Sequence, residues 1–97
     1  MMYTENSYFE WDDDKANTNR IKHGVTFEEA TTVFHDFSAS SRSDPRCYLS
    51  EHRQLIVGQS AFGNLLVVVF TERNDRTRII SARKANRKER RRYEEEI

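Results

Sequence analysis

Ninety-seven residues, 36% hydrophobic and 33% charged, make one small domain over 1–97 with one modest core and exclude a second. Sixteen Lys and Arg balance sixteen Asp and Glu, so net charge alone singles out neither a nucleic-acid binder nor an acidic solvating protein. The balance hides segregation: residues 1–48 hold five basic and nine acidic side chains, residues 49–97 eleven and seven.

Tyr8–Trp11 reads as a short strand with Phe9 and Trp11 on one face, since side chains alternate along a strand. Asp12 is placed to cap a helix from Asp13 to His23, with acidic residues in its first turn, Lys22 in its last and Gly24 as a left-handed stop. Its inward stripe, Ala16, Asn19 or Arg20, and His23, is thin and predicts that something polar matters there. Thr26 to Glu29 spells a capping box, with Val25 and Ala30 spaced for a hydrophobic staple. In the helix that follows, Ala30, Val33, Phe34 and Phe37 are expected to face inward. Asp36 to Arg46, holding four serines, Asp44 and Pro45, predicts a loop.

The second half predicts sheet. Arg46–Leu49, Gln54–Val57, Leu65–Phe70 and Thr77–Ser81 are apolar or β-branched, with Gly58–Asn64 closing one hairpin and Asn74 with Asp75 the next. Leu65–Phe70 does not alternate, which places it centrally with helices over both faces. A second capping box, Asn86 to Glu89, opens a terminal helix to about Glu95 whose main apolar contact is Tyr93. The class is therefore α+β: a strand, two helices, a mostly antiparallel sheet of about four strands and a C-terminal helix.

Cys47 is the only cysteine, excluding an internal disulfide, and is expected to be an inert thiol. The carboxylates of Asp12 to Asp14 suit a helix N-terminus without any ion, so neither a metal nor a cofactor is expected. The acidic start is unlike a signal peptide, and six apolar residues from Leu65 to Phe70 fall well short of the roughly 20 of a membrane helix. A soluble cytoplasmic protein without membrane contact is expected.

Between residues 73 and 92 stand ten basic residues, eight of them arginine, against two acidic ones. Arginine is planar, permanently charged and donates paired hydrogen bonds, which suits phosphate, although an acidic protein partner or plain solvation would use the same run. Arg76 and Arg78 fall two apart on the last strand, and together with Arg53, Arg73 and Arg83 they can seat consecutive phosphates or pair with Glu72 and Glu51. His23 closes a helix beside Lys22 and Gly24, where an imidazole can transfer protons near neutral pH or simply cap the helix. Cleavage of RNA by its own 2′-hydroxyl needs a base, a cationic clamp and an acid, roles that His23, Lys22 and the arginines can share.

Phe9-Glu10-Trp11-Asp12, Lys15, Asn19, Lys22 to Ala30, Arg53 to Gly58, Leu65 to Arg73, Arg78 to Arg83 and Glu89 to Glu94, in that order, resemble the BrnT toxin family over about residues 8 to 95. Arg20-Ile21 departs from the leucine-arginine order frequent there. The resemblance implies a small RelE-like domain and the toxin of a bacterial type II toxin-antitoxin module, a ribonuclease acting on free RNA and so stopping translation. It further implies a cognate BrnA-like antitoxin, two toxins assembled with two antitoxins, and operator DNA read only by that complex. The positions that carry over are Lys22, His23, Arg53, Glu72, Arg73 and Arg83, and the roles we assign to them are proton transfer for His23, phosphate binding for Arg53, Arg73 and Arg83, support for Lys22, and orientation of an arginine or service as base for Glu72. Arg76, Arg78, Arg87, Lys88 and Arg91 bind RNA further out, or the last three meet the antitoxin. The rival reading is a noncatalytic protein that holds RNA or an acidic partner with the same basic half. Convergence of Lys22, His23 and Arg83 on one groove favours the enzyme, and their dispersal favours the binder.

Overall fold

The computed structural model describes residues 3–5, 8–44 and 52–96. Strands β1 (Tyr3–Glu5) and β2 (Phe9–Asp12) lead into helices α1 (Asp13–His23) and α2 (Phe27–Thr32), the latter prolonged by a 3-10 turn at Val33–His35. Strands β3 (Ser40–Ser43), β4 (Gln54–Gln59), β5 (Leu65–Arg73) and β6 (Arg76–Lys84) and helix α3 (Arg87–Glu96) follow. The strands form one sheet in the order β1-β2-β6-β5-β4-β3, antiparallel except where β2 runs parallel to β6. No helix among the described residues is long and apolar enough to cross a membrane.

The ends of α1 follow from its sequence. The Asp12 carboxylate accepts from the Asp14 and Lys15 N–H groups, and Gly24 takes the left-handed conformation at φ 69° while its N–H donates to the Arg20 carbonyl. The polar contact expected on the inward stripe is Asn19. Its Nδ2 donates to the carbonyls of Val25 at 3.0 Å and Ala82 at 2.8 Å, and its Oδ1 accepts from the Ala82 N–H at 3.1 Å. Arg20, the other candidate, is exposed and bonds Asn17. Since β2 pairs with β6 only at Thr77 and Arg78, Asn19 takes the place of a strand further along that edge.

Strand β5 is buried from Leu65 to Thr71, as its unalternating sequence demanded. Leu66, Val68 and Phe70 join Trp11, Val25, Phe27, Ala30 and Ile79 under α1 and α2, while Val67 and Val69 join Leu55, with Val57 and Ile80 against them, in a second cluster. Asn74 and Asp75 both adopt positive φ, 52° and 64°, the pair of left-handed residues that a tight two-residue hairpin requires.

Several expectations need correction. Ser40–Ser43 is not loop but edge strand β3, because pairing with Gln54–Val57 satisfies a backbone whose turn-forming composition gave no hint of it. With β1 also present, the sheet has six strands among the described residues, beyond the about four expected. Phe37 does not face inward but is fully exposed: the 3-10 turn ends in extended backbone at Asp36, ψ 116°, and breaks the helical spacing that runs through Ala30 and Val33. Only half of the first capping box forms. Thr26 accepts from the Glu29 N–H, but the Glu29 carboxylate reaches the β4–β5 hairpin, accepting from Ser60 Oγ at 2.7 Å and Asn64 Nδ2 at 2.8 Å. The expected strand Arg46–Leu49, with Cys47, lies outside the described residues.

Candidate active site

Lys15, Thr18, Asn19 and Lys22 recur at helical spacing and so share a face of α1. That face and the edge of β6 border an open cleft of about 310 Å³ lined also by Asp14, His23, Ile80 and Ser81. Gly24 turns the chain away directly after His23, which leaves the half-buried imidazole at the carbonyl end of the helix, where positive charge is favoured. Two lysines, an imidazole and one carboxylate thus border a single space.

Of the six residues expected to be catalytic, Lys22 and His23 meet in this cleft. Arg83 does not line it, so the expected convergence of all three groups on one groove is met only by Lys22 and His23. Val69 and Val67 lie in one cluster and face Ser81 and Arg83 in the register, so the two β6 residues share a sheet face, about 7 Å apart along the strand. Glu72 and Arg73 sit at the β5–β6 turn with Arg76, some 16 Å along β6 from Ser81. Arg53 lies half-buried just before β4, and its carbonyl accepts from the Asp44 N–H. The Glu72 carboxylate accepts from Thr77 Oγ1 at 3.0 and 3.2 Å. Arg78 donates to Glu10 at 2.8 Å across the parallel β2–β6 pair, with 15% and 13% of the two side chains exposed. Arg87, Lys88 and Arg91 are exposed on α3. Lys15 was not among the expected site residues, although its spacing from Lys22 on α1 was the available signal.

Arg83 is engaged by α3. Its Nη1 and Nη2 donate to the two oxygens of Glu89 at 2.7 and 2.8 Å, and Nη1 also reaches the Lys84 carbonyl at 3.3 Å. Glu89 completes the second capping box as expected, accepting from the Asn86 N–H while its own N–H donates to Asn86 Oδ1. The Arg83 hydrogen bonds hold the Glu89 carboxyl below its ordinary range against the opposing effect of burial, and Glu89 in turn raises the Arg83 guanidinium.

The other tie of α3 is Tyr93, whose hydroxyl donates to Asp36 Oδ2 at 2.6 Å. Burial acts to raise the Asp36 carboxyl, but the Gln59 N–H, the Tyr93 hydroxyl and the Ser38 N–H outweigh it and leave Asp36 lowered. No residue of α3 is buried, so these two carboxylates carry much of its attachment. Both have depressed values in the folded chain, so their contribution is present above the unfolded carboxylate range and is lost as pH falls through the folded values. Protection of the α3 amides, taken relative to their intrinsic exchange rate at each pH, is therefore expected to fall below about pH 4 ahead of protection in β5. Simultaneous exposure of both elements would show that these ties do not hold α3 separately.

The sequence profile of the family described as "Ribonuclease toxin, BrnT, of type II toxin-antitoxin system" matches residues 11–89. That span runs from Trp11 through Glu89 and contains Lys22, His23 and Arg83. Among solved structures, the crystal structure of the Brucella abortus ribonuclease toxin BrnT is similar, with a TM-score of 0.61 and 24% identity, covering 79% of this chain and 94% of that one. Sequence comparison with curated proteins gives no significant match.

Proposed function

The chain belongs to the BrnT family of ribonuclease toxins of type II toxin-antitoxin systems, and from that premise we propose that it cleaves free RNA, without metal or ribosome, at the cleft between α1 and β6. The observation that carries this reading is the meeting of Lys15, Lys22 and His23 around one space. Such a set can bind an RNA phosphate and exchange a proton beside it. A base takes the proton of the ribose 2′-hydroxyl, and the freed oxygen attacks the adjacent phosphorus. The 5′-oxygen leaves with a proton from an acid, giving a 2′,3′-cyclic phosphate and a 5′-hydroxyl. His23 transfers protons here, Lys22 and Lys15 offset charge on the phosphate, and Arg83 binds it from the border of the cleft.

Arg53, Arg73 and Arg76 extend the track for the RNA backbone toward the β5–β6 turn, with Glu72 orienting that end through Thr77. The Arg78 guanidinium adds charge beneath that track while tied to Glu10. Arg87, Lys88 and Arg91 bind more remote phosphates from α3. A toxin of this kind has a cognate antitoxin. In the same reading a BrnA-like antitoxin joins as two copies with two toxins in the cytoplasm, and operator DNA is bound only by that complex.

The test is incubation of a labelled, protein-free RNA with the purified chain in EDTA, followed by analysis of the fragment ends. Fragments ending in cyclic phosphate are expected. Cleavage that appears only when ribosomes or a divalent metal are added overturns the proposal.

A further inference from the structure

A guanidinium has five N–H groups, and Arg83 has three of them engaged: two by Glu89 and one by the Lys84 carbonyl. Glu89 occupies the edge formed by Nη1 and Nη2. The two groups left, Nε–H and the second Nη2–H, are parallel along the other edge of the same plane, and two parallel donors of this kind match two oxygens of one phosphate. The Arg83 side chain remains 39% exposed against 16% for Glu89, so Arg83 is the member of the pair more accessible to a ligand. Glu89 is itself fixed from both sides by Asn86 at the first turn of α3.

We infer that Glu89 is a positioning residue of the ribonuclease, holding Arg83 so that its free edge forms a two-donor phosphate fork at the border of the cleft. This rests on the reading above that Arg83 binds the reacting phosphate. Rotation about the four side-chain torsions of an unheld arginine would carry the fork away from the cleft, and holding it beforehand spares that ordering at the moment of reaction. Glu89 lowers the net positive charge at this place. It therefore costs attraction for RNA in the ground state and acts by geometry instead.

That opposition makes the test decisive. Glutamine serves at the third position of a capping box as glutamate does, so Glu89→Gln keeps the start of α3 while replacing the carboxylate that takes two parallel donors. In single-turnover cleavage of a labelled RNA with the full chain, Glu89→Gln is expected to lower the maximal rate by roughly ten to a hundredfold, with RNA binding unchanged or tighter. Arg83→Lys keeps the charge and removes the fork, and its loss of rate is expected to be of similar size. The double variant is expected to be no worse than the poorer single one, since both remove the same device. Circular dichroism confirms that each variant is folded, and Arg83→Lys leaves the capping box untouched should Glu89→Gln unfold α3. An unchanged or raised rate in Glu89→Gln, a rate loss matched by weaker RNA binding, or multiplicative losses in the double variant would overturn the inference. Should Arg83→Ala cleave normally, the premise that Arg83 binds the reacting phosphate fails, whereas a slow Arg83→Ala beside a normal Glu89→Gln removes only the role of Glu89.

Discussion

His23→Ala lowers the rate of RNA cleavage by about a hundredfold or more and leaves the thermal unfolding transition close to that of the native chain. The two halves of this expectation have separate causes. His23 is half-buried at the end of α1 and makes no side-chain hydrogen bond among the described residues, so its removal costs the fold little beyond a favourable contact with the helix terminus, about 0.3–1 kcal/mol when the ring is charged. The proposed reaction would depend on it far more, since a positioned proton-transfer group contributes around two to four orders of magnitude in rate. Lys22→Ala, by contrast, is expected to weaken cleavage less, because Lys15 leaves a second ammonium in the same cleft. Rates measured at saturating RNA on both folded variants check the order, and a His23→Ala protein that cleaves at the native rate removes His23 from the chemistry.

Asn19→Leu has the largest expected effect on stability. Leucine has the same number and branching of side-chain heavy atoms as asparagine, so the shape of the α1–β6 contact is roughly kept, with bulkier methyl groups, while the hydrogen bonds are lost. The Val25 carbonyl and both polar groups of the Ala82 backbone are then left unpaired at a site where Asn19 is only 6% exposed. Each unpaired buried group costs about 1–3 kcal/mol, which sums to roughly 3–5 kcal/mol once partial relaxation is allowed for. That is a large part of the roughly 5–15 kcal/mol that stabilises a domain. At about 4–8 °C per kcal/mol for a chain near this size, the melting temperature falls by at least about 12 °C. Asn19→Asp is expected to do no better, since a carboxylate offers nothing to the two carbonyls. Thermal melts followed by circular dichroism decide this, and a fall of only a few degrees would mean that water replaces the amide. Cleavage suffers as well, because Lys15, Lys22 and His23 are all carried on the helix that Asn19 fastens.

Features written in neighbouring residues were legible from the sequence. Asp12 and Gly24 bound α1, Asn74 and Asp75 close the last hairpin, Asn86 and Glu89 cap α3, and the unbroken apolar run of β5 marks the centre of the sheet. Each rests on a backbone requirement met within a few residues. Strand β3 was hidden because its serines gain hydrogen bonds only from β4, a partner more than ten residues away. The parallel pairing of β2 with β6 was hidden for the same reason. Phe37 was misplaced because a helical period was extended through a 3-10 turn that shifts every later side chain.

The candidate site divides along the same line. Lys22 and His23 stood out as a local feature at a helix end, and the fold places them in one cleft. The separation of Arg83 from Glu72 and Arg73 depends on which end of β6 lies beside α1, a tertiary fact that no spacing in the chain reveals. The pairing of Arg83 with Glu89 was obscured by the charge of the terminal segment, where six basic residues between 84 and 92 surround a single acidic one. There the basic run reads as a surface for polyanions, while the one carboxylate within it organises the nearest arginine.

The most direct test of the central claim is cleavage in EDTA of two matched RNAs, one of ribose throughout and one with a single 2′-deoxyribose at the nucleotide 5′ to the cleaved bond. The native chain is expected to cut the first to a cyclic phosphate and to leave that bond of the second intact, because the attacking hydroxyl is gone. Equal cleavage of the two would contradict this and would mean that water, not the RNA itself, supplies the nucleophile.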